Sequence, residues 1–395
     1  MNNTYNRNNP RDLLFLYDEQ VKHGKEVKLR EIDFIKLTEY LNDEFSTNDA
    51  LEAVENGILK YRYSPRLYTR KAELLIAQGE RDLAFDALDR AEIFGQSFVT
   101  TDILRAKAHL SNKDYSVALS LLVELRCAYH LTATQLSEVY YTEGLVYEKQ
   151  KEYIEMYQCL KAAVKENPFN EEALQKLYLG AYMSNMQEDS ILLHESVLDE
   201  NPYSHTAWFN LAQAHLYFGD YENALDAFEF SFIANDRFEP GYKEYVEVCF
   251  HLGEYQKALN AMEEAILALG EHDEELLFKI GQCHEYLGDT AKAKIYYYRA
   301  LDINNWLDEI YYHIGECYRK EEDYSSSIHF YKQAIRIDNL HEEYQLALAI
   351  AYNPLGRYQK ALPHFQKATD LGPEICENWI EYATFLMNLD GMEEA

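Results

Sequence analysis

The residues best suited to chemistry are three cysteines, Cys249, Cys283 and Cys317, spaced 34 residues apart, with His215, His251, His284 and His313 close by in register. Thiolate and imidazole are zinc ligands, so stacked structural units could bring some of these side chains to one metal. Geometry opposes this. Equivalent positions in neighbouring packed units lie about 10 Å apart, whereas a Zn–S bond is about 2.3 Å long. A free cysteine otherwise behaves as a small apolar side chain. The expectation is that all three fill core positions, and that the chain has no metal site, no cofactor and no catalytic residue.

Other chemistries leave no pattern. The chain has no Gly-rich phosphate loop, no GxSxG elbow and no HExxH, and His194-Glu195 lacks a second histidine. Acidic pairs such as Glu274-Glu275 and Glu321-Glu322 read as solvated edges. The six cysteines form no CxxC pair, which argues against a disulfide framework. A formal charge of −31 argues against nucleic acid, because phosphate binding needs a basic stripe, and against an anionic membrane surface. No stretch approaches the ~20 apolar residues of a membrane span. Residues 1–10 are polar, and Leu13–Tyr17 is too short for a signal sequence. These features together predict a cytoplasmic protein that binds neither nucleic acid nor membrane.

The elements behind these residues emerge from a period. Ala50, Ala84 and Ala118 follow at gaps of 34, and Ala224, Ala258, Ala293, Ser327 and Ala361 at gaps of 34, 35, 34 and 34; Met156 and Ser190 divide the interval between the two runs. A constant lag marks repeats that pack only on their neighbours. Laid over one another, the repeats start near Glu31, Pro65, Val99, Ser137, Glu171, His205, Glu239, Glu274, Asp308 and Glu342, with an incomplete one from Cys376 to Ala395. Residues 205–238 show helical apolar spacing, a break at Gly219-Asp220, and helical spacing again. Each repeat is therefore read as a helix–turn–helix, and the chain as all-α. Residues 1–30 stand apart, and Arg11–Lys25 reads as an amphipathic helix serving as an N-terminal cap or tail.

Trp208, Leu211, Ala212, Gly219, Tyr221, Ala224, Phe228 and Ser231, echoed by Ile280-Gly281, Gly288-Asp289, Ala293, Tyr297 and Ala300, and by Tyr311, Ile314-Gly315, Tyr318, Tyr324, Tyr331 and Ala334, resemble the signature of the tetratricopeptide repeat (TPR) family across roughly residues 31–395. The resemblance, to long bacterial cytoplasmic members, implies a right-handed superhelical solenoid of antiparallel helix pairs, about ten repeats plus a partial one. It also assigns places. Gly144, Ala212, Gly281, Gly315 and Ala349 are small where the two helices of a pair meet. Ala163, Ala265, Ala300, Ala334 and Ala368 let the next repeat dock. Tyr115, Tyr153, Tyr221, Tyr255, Tyr324 and Tyr358 open second helices, and Pro168, Pro202 and Pro373 follow their ends. Much of the content of 34 tyrosines is thus core and seam. Departures predict local irregularity: Met156 and Tyr178 put bulk at small positions, the Val99 repeat holds four extra residues near Cys127–Thr132, and Pro354 should disturb the end of its helix.

In this family the first helices line a groove, with ligand-facing side chains at the second, fifth, ninth, twelfth and thirteenth positions of each repeat. Carried over, these are the aromatics Tyr141, Tyr182, Phe209, Tyr217, Phe250, Phe278, Tyr286 and Tyr312, and the carboxylates Glu138, Glu172, Glu247, Glu275, Glu309 and Glu316. The Lys and Asn that grip a terminal carboxylate in chaperone-binding relatives are mostly replaced here by Tyr, Phe, Gln and Glu. The expected function is an interaction scaffold whose groove holds a protein or peptide segment, one bearing Lys or Arg being favoured. A second reading makes the chain the targeting arm of a larger enzyme, such as a glycosyltransferase or peptidase, with its catalytic domain beyond residue 395. A third is self-association through the incomplete C-terminal repeat.

Overall fold

The structure is a computed structural model that describes residue 7 and residues 9–21, 29–128, 130–270 and 274–393. Most of the residues 1–8 and 22–28 of the N-terminal segment, one residue of the four-residue insertion, and the last two residues of the incomplete repeat lie outside the described residues. Among the described residues every regular element is helical, with 22 α-helices. The chain divides into two compact units, Met1–Phe218 and Gly219–Ala395.

The N-terminal unit contains α1 (Pro10–Val21), α2 (Glu31–Glu44), α3 (Thr47–Lys60), α4 (Pro65–Gln78), α5 (Arg81–Ile93), α6 (Phe98–Ser111), α7 (Tyr115–Ala128), α8 (Ala133–Gln150), α9 (Tyr153–Glu166), α10 (Glu171–Ser184), α11 (Gln187–Glu200) and α12 (His205–Tyr217). Local chemistry sets the boundaries. Ser64 and Ser204 accept a hydrogen bond from the third backbone N–H of the helices they precede, and Pro65 sits at a first-turn position where no donor is lost. Gly79 closes α4 at φ 79°, a conformation that other residues resist. Thr132 and Gln135 form a capping box that starts α8 four residues before Ser137, so the extra length of that region becomes an added helical turn.

Packing proceeds from neighbour to neighbour. Leu13 and Tyr17 of α1 are buried in one cluster with Phe34, Leu37 and Val54 of α2 and α3. Ala72, Leu75, Ala84 and Leu88 follow, then Ile103, Ala118, Leu122 and Val139. The two bulky departures behave differently. Met156 is fully buried and α8 and α9 pack closely, so the bulk is absorbed there. The pair that holds Tyr178 is looser: α10 packs on α9 and α12 but only lightly on α11. A polar bridge ties α11 to its neighbours instead. His194 is fully buried, its Nδ1 lies 2.7 Å from the Ser190 carbonyl, and its Nε2 lies 3.2 Å from Asn210 Nδ2, which also donates to the Leu174 carbonyl at 2.7 Å. A carbonyl only accepts and an amide nitrogen only donates, so the imidazole is neutral with its proton on Nδ1.

The C-terminal unit contains α13 (Tyr221–Ala234), α14 (Glu239–Leu252), α15 (Tyr255–Leu269), α16 (Glu274–Tyr286), α17 (Thr290–Ile303), α18 (Asp308–Lys320), α19 (Tyr324–Ile337), α20 (Glu342–Tyr352), α21 (Tyr358–Leu371) and α22 (Cys376–Glu393). Asp220, Asp289 and Asp323 cap α13, α17 and α19. The tyrosines at 115, 153, 221, 255, 324 and 358 are the first residues of their helices. Pro354 lies in a short 3-10 turn, Asn353–Leu355, which ends α20 at 11 residues.

One contact repeats in this unit. The fully buried ring of Tyr297 lies against Gly281, and that of Tyr331 against Gly315, where a Cβ would fall 2.5 Å from the ring. Each ring is anchored at its far end. The Tyr297 hydroxyl donates to Glu285 at 2.7 Å and the Tyr331 hydroxyl donates to Glu316.

Two expectations follow. Gly281→Ala gains about 1 kcal/mol of helix propensity, but its methyl meets a ring that is buried and tethered, and overpacking of this kind costs about 1–3 kcal/mol. We expect a lower urea midpoint, and the penalty should shrink in a Tyr297→Leu background, a non-additivity that a double-mutant cycle measures. For His194, burial lowers the imidazole to about 4 against an ordinary 6.5. Its neutral form supports the fold fully above the unfolded value, and that support is lost as pH falls through the folded one. Between pH 7 and 5 this amounts to about 2 kcal/mol. Denaturation at the two pH values should show that loss, and His194→Gln should reduce it, leaving the same-direction contributions of the partly desolvated His284 and His364.

Candidate functional site

The cysteine–histidine constellation resolves into packing. Cys249, Cys283 and Cys317 are fully buried. Burial pushes the Cys249 thiol up to about 11 and the other two up to about 12, so all three stay protonated at neutral pH and make poor nucleophiles and ligands. The histidines of that unit turn elsewhere. His251 lies on Tyr221 at 4.5 Å between ring centres, His284 stacks on Tyr296 at 5.5 Å, and His313 Nδ1 reaches Glu285 at 2.9 Å. Among the described residues no three His, Cys, Asp or Glu side chains converge as a metal would require.

Glu285 is a residue the sequence did not single out. It is buried on α16 and accepts from Tyr297 on α17, from His313 on α18, and from Lys320 at 2.8 Å at the end of α18. Burial alone would push the carboxyl up, but these hydrogen bonds and charges bring it down to about 2. Every oxygen has a partner, so the group fastens three helices together and is not poised to exchange protons. No sequence signal marks it, since its donors come from two other helices.

The aromatics at the predicted ligand positions fall into two groups. Those at the fifth position sit in seams. Tyr141 is only 8% exposed, with the Lys107 ammonium 5.7 Å from its ring centre. Tyr312 stacks on Tyr344 at 5.1 Å and donates to Glu343 at 2.8 Å. Phe278 is half-buried between Tyr297 and His313, and Phe209 is half-buried on α12. Those at the twelfth and thirteenth positions face outward. Tyr182 and Tyr217 are each 50% exposed and meet edge-to-face at 6.2 Å in the N-terminal unit, flanked by Tyr178 and Phe218. In the C-terminal unit Tyr286 is 52% exposed, stacks on Tyr255 at 4.5 Å, and stands at 6.4 Å from the half-buried Phe250.

The carboxylates gather at two concavities. In the N-terminal unit a cleft of about 590 Å³ opens between α4, α6, α8 and the turn before α10. Glu73, Glu138, Glu171 and Glu172 line it with the single ammonium of Lys107, and Ile103, Leu104 and Phe169 supply apolar wall. Lys107 is spent on Glu138 at 2.5 Å and Glu73 on Arg70 at 3.0 Å, while Glu172 is exposed. In the C-terminal unit Glu247 and Glu275 line a cavity of about 300 Å³ with Lys279, which pairs with Glu247. Glu309 is exposed on the first turn of α18, outside both, and Glu316 is bound internally by Arg319 and Tyr331. Sequence reasoning missed Lys107 as the partner of Glu138 and Lys279 as that of Glu247. In both cases the lysine and carboxylate sit on first helices one repeat apart, a spacing of 31 or 32 residues.

These placements predict different stability costs. Tyr312→Ala, which removes a stacked and hydrogen-bonded ring, should cost about 2–4 kcal/mol. Tyr182→Ala or Tyr217→Ala should cost about 1 kcal/mol or less. Urea denaturation checks both, and a large loss at Tyr182 would mean that its ring supports the fold.

Comparison with known proteins matches this architecture. A tetratricopeptide repeat model fits residues 137–170, 274–305, 308–339 and 342–374, and a second tetratricopeptide repeat model fits residues 191–229. A search of curated proteins gave no match. Similar solved structures include MamA from Desulfovibrio magneticus, 18% identical over 43% of this chain and 96% of its own, with a TM-score of 0.40. Another is YrrB, described as a TPR protein with an unusual peptide-binding site, 20% identical over 47% of this chain and 95% of its own, with a TM-score of 0.39. The C-terminal part of a TPR repeat-containing protein from Cytophaga hutchinsonii is 13% identical over 71% of this chain and 98% of its own, with a TM-score of 0.46. With its repeated helix pairs, its small residues at the crossings and these family matches, the chain is a tetratricopeptide repeat protein.

Proposed function

We propose that the chain is an interaction scaffold whose first-helix faces bind a Lys/Arg-bearing peptide segment of a partner protein. Tetratricopeptide repeats are typically non-catalytic modules that bind protein or peptide partners. The observation that carries the finer reading is the cleft of the N-terminal unit, where four carboxylates surround one ammonium and an exposed Phe169 offers an apolar rim. A cationic segment entering it gains Coulomb energy, and the net charge of −31 speeds its encounter with the chain. Among the described residues no helix is long and apolar enough to cross a membrane. We place the scaffold in the cytoplasm on the absence of cysteine pairing motifs in the sequence.

Fluorescence anisotropy with a labelled Lys/Arg-rich peptide tests this. The affinity should exceed that for an Asp/Glu-rich peptide of equal length and weaken as salt rises to about 0.5 M. The double variant Glu138→Gln, Glu172→Gln should bind about fivefold to tenfold more weakly, with an unchanged circular dichroism spectrum. Equal binding of the acidic peptide, or an unaffected double variant, would sink the assignment.

A further inference from the structure

The C-terminal unit carries a second concavity of different character. It lies between α14, α15 and α16, where the repeat beginning at Glu239 runs to 35 residues in place of 34 and α15 is one residue longer than α13 or α17. The cavity measures about 300 Å³ and its wall is apolar: Val246 on α14, Met262, Ala265 and Leu269 on α15, and Leu276 on α16. That volume suits a single large side chain. Tyr242 lines it as well. The Tyr242 ring is 3% exposed and stacked on Phe232 at 4.2 Å, and its buried hydroxyl has no hydrogen-bond partner. An unpartnered buried hydroxyl is a standing cost to the protein.

Charge limits what can enter. Glu239, Glu247 and Glu275 lie at the cavity with Lys243 and Lys279, and each lysine is taken up by an ion pair, Lys243 with Glu239 at 2.8 Å and Lys279 with Glu247. Glu264 and Asp236 add negative potential at the Tyr242 hydroxyl. The surroundings thus count five carboxylates against two ammonium groups, and they disfavour an acidic ligand.

We infer that this cavity is an anchor pocket for one bulky apolar side chain of a cationic partner peptide, with Lys or Arg flanking the anchor. The inference rests on the peptide-binding reading above and adds to it a specificity determinant in the other compact unit. The anchor fills the apolar cavity while the flanking cations meet Glu239, Glu247 and Glu275. The N-terminal cleft is read chiefly by its charge; this pocket selects for a side chain.

The probe is a set of labelled peptides with identical Lys/Arg flanks and a central Phe, Leu or Ser, titrated into the full chain. The Phe and Leu peptides should bind at least about tenfold more tightly than the Ser peptide, the ratio set by burying a large apolar side chain. Leu269→Gln and Leu276→Gln both alter partly exposed wall residues, and each should bring that ratio close to one while leaving the Ser peptide's affinity unchanged. Circular dichroism confirms that each variant is folded, and Leu276→Trp serves as a second means of filling the cavity. If the Phe and Ser peptides bind equally, or if the preference survives in the Leu269 and Leu276 variants, the pocket assignment falls while the charge-based reading stands. If no cationic peptide binds at all, both fall together.

Discussion

Each helix pair here can pack only because one helix gives up bulk where the other brings it. The fully buried rings of Tyr297 and Tyr331 rest on Gly281 and Gly315. Alanines at 163, 265, 300, 334 and 368 play the corresponding part toward the next repeat and are almost completely buried. A pair of about thirty residues cannot enclose its own apolar surface, so it persists only by laying that surface on its neighbours. The closeness of these crossings decides whether the apolar side chains meet at packing distance or leave gaps.

The same constraint explains where polar chemistry sits. A tyrosine buried in such a crossing must satisfy its hydroxyl, and Glu285, Glu316 and Asp189 do so for Tyr297, Tyr331 and Tyr157. The carboxylates are held in turn: Glu285 by His313 and Lys320, Glu316 by Arg319, and Asp189 by Lys161. Part of the large acidic excess is therefore structural. It supplies acceptors to buried hydroxyls, while other carboxylates, Glu172 and Glu309 among them, stay exposed.

The fold was legible because its determinants are local and recur. Small residues, helix-opening tyrosines and terminating prolines each appear several times at a fixed lag, so one ambiguous position is outvoted by its equivalents. Tyr178 and Met156 mark the limit. The sequence shows bulk at both, but whether bulk is absorbed or parts the helices depends on what surrounds it. Met156 found a closed interior, whereas in the pair that holds Tyr178 α10 and α11 pack lightly and the buried His194–Asn210 contact joins α11 to α12. The site was less legible. A position within a repeat tells which side of a helix a residue occupies, yet not whether an adjacent lysine has claimed it. Lys107 covers Tyr141 and neutralises Glu138, and Lys279 does the same for Phe250 and Glu247. Those partners come from an adjacent repeat, the preceding one for Lys107 and the following one for Lys279, and vary from one repeat to another.

Both concavities lie where the period is broken. The N-terminal cleft is lined by Thr134 and Gln135, within the added turn of α8. The C-terminal cavity is lined by Leu269 and Gly270, at the end of the lengthened α15. A regular array brings successive first helices into the same relation each time and leaves similar shallow surfaces between them. An added residue that falls outside the small-residue crossings can alter the surface while those crossings still hold the pairs together. Repeats that must stay alike to stack can acquire specificity most cheaply at such interruptions. In this chain both concavities sit at such interruptions, at the added turn of α8 and at the end of α15.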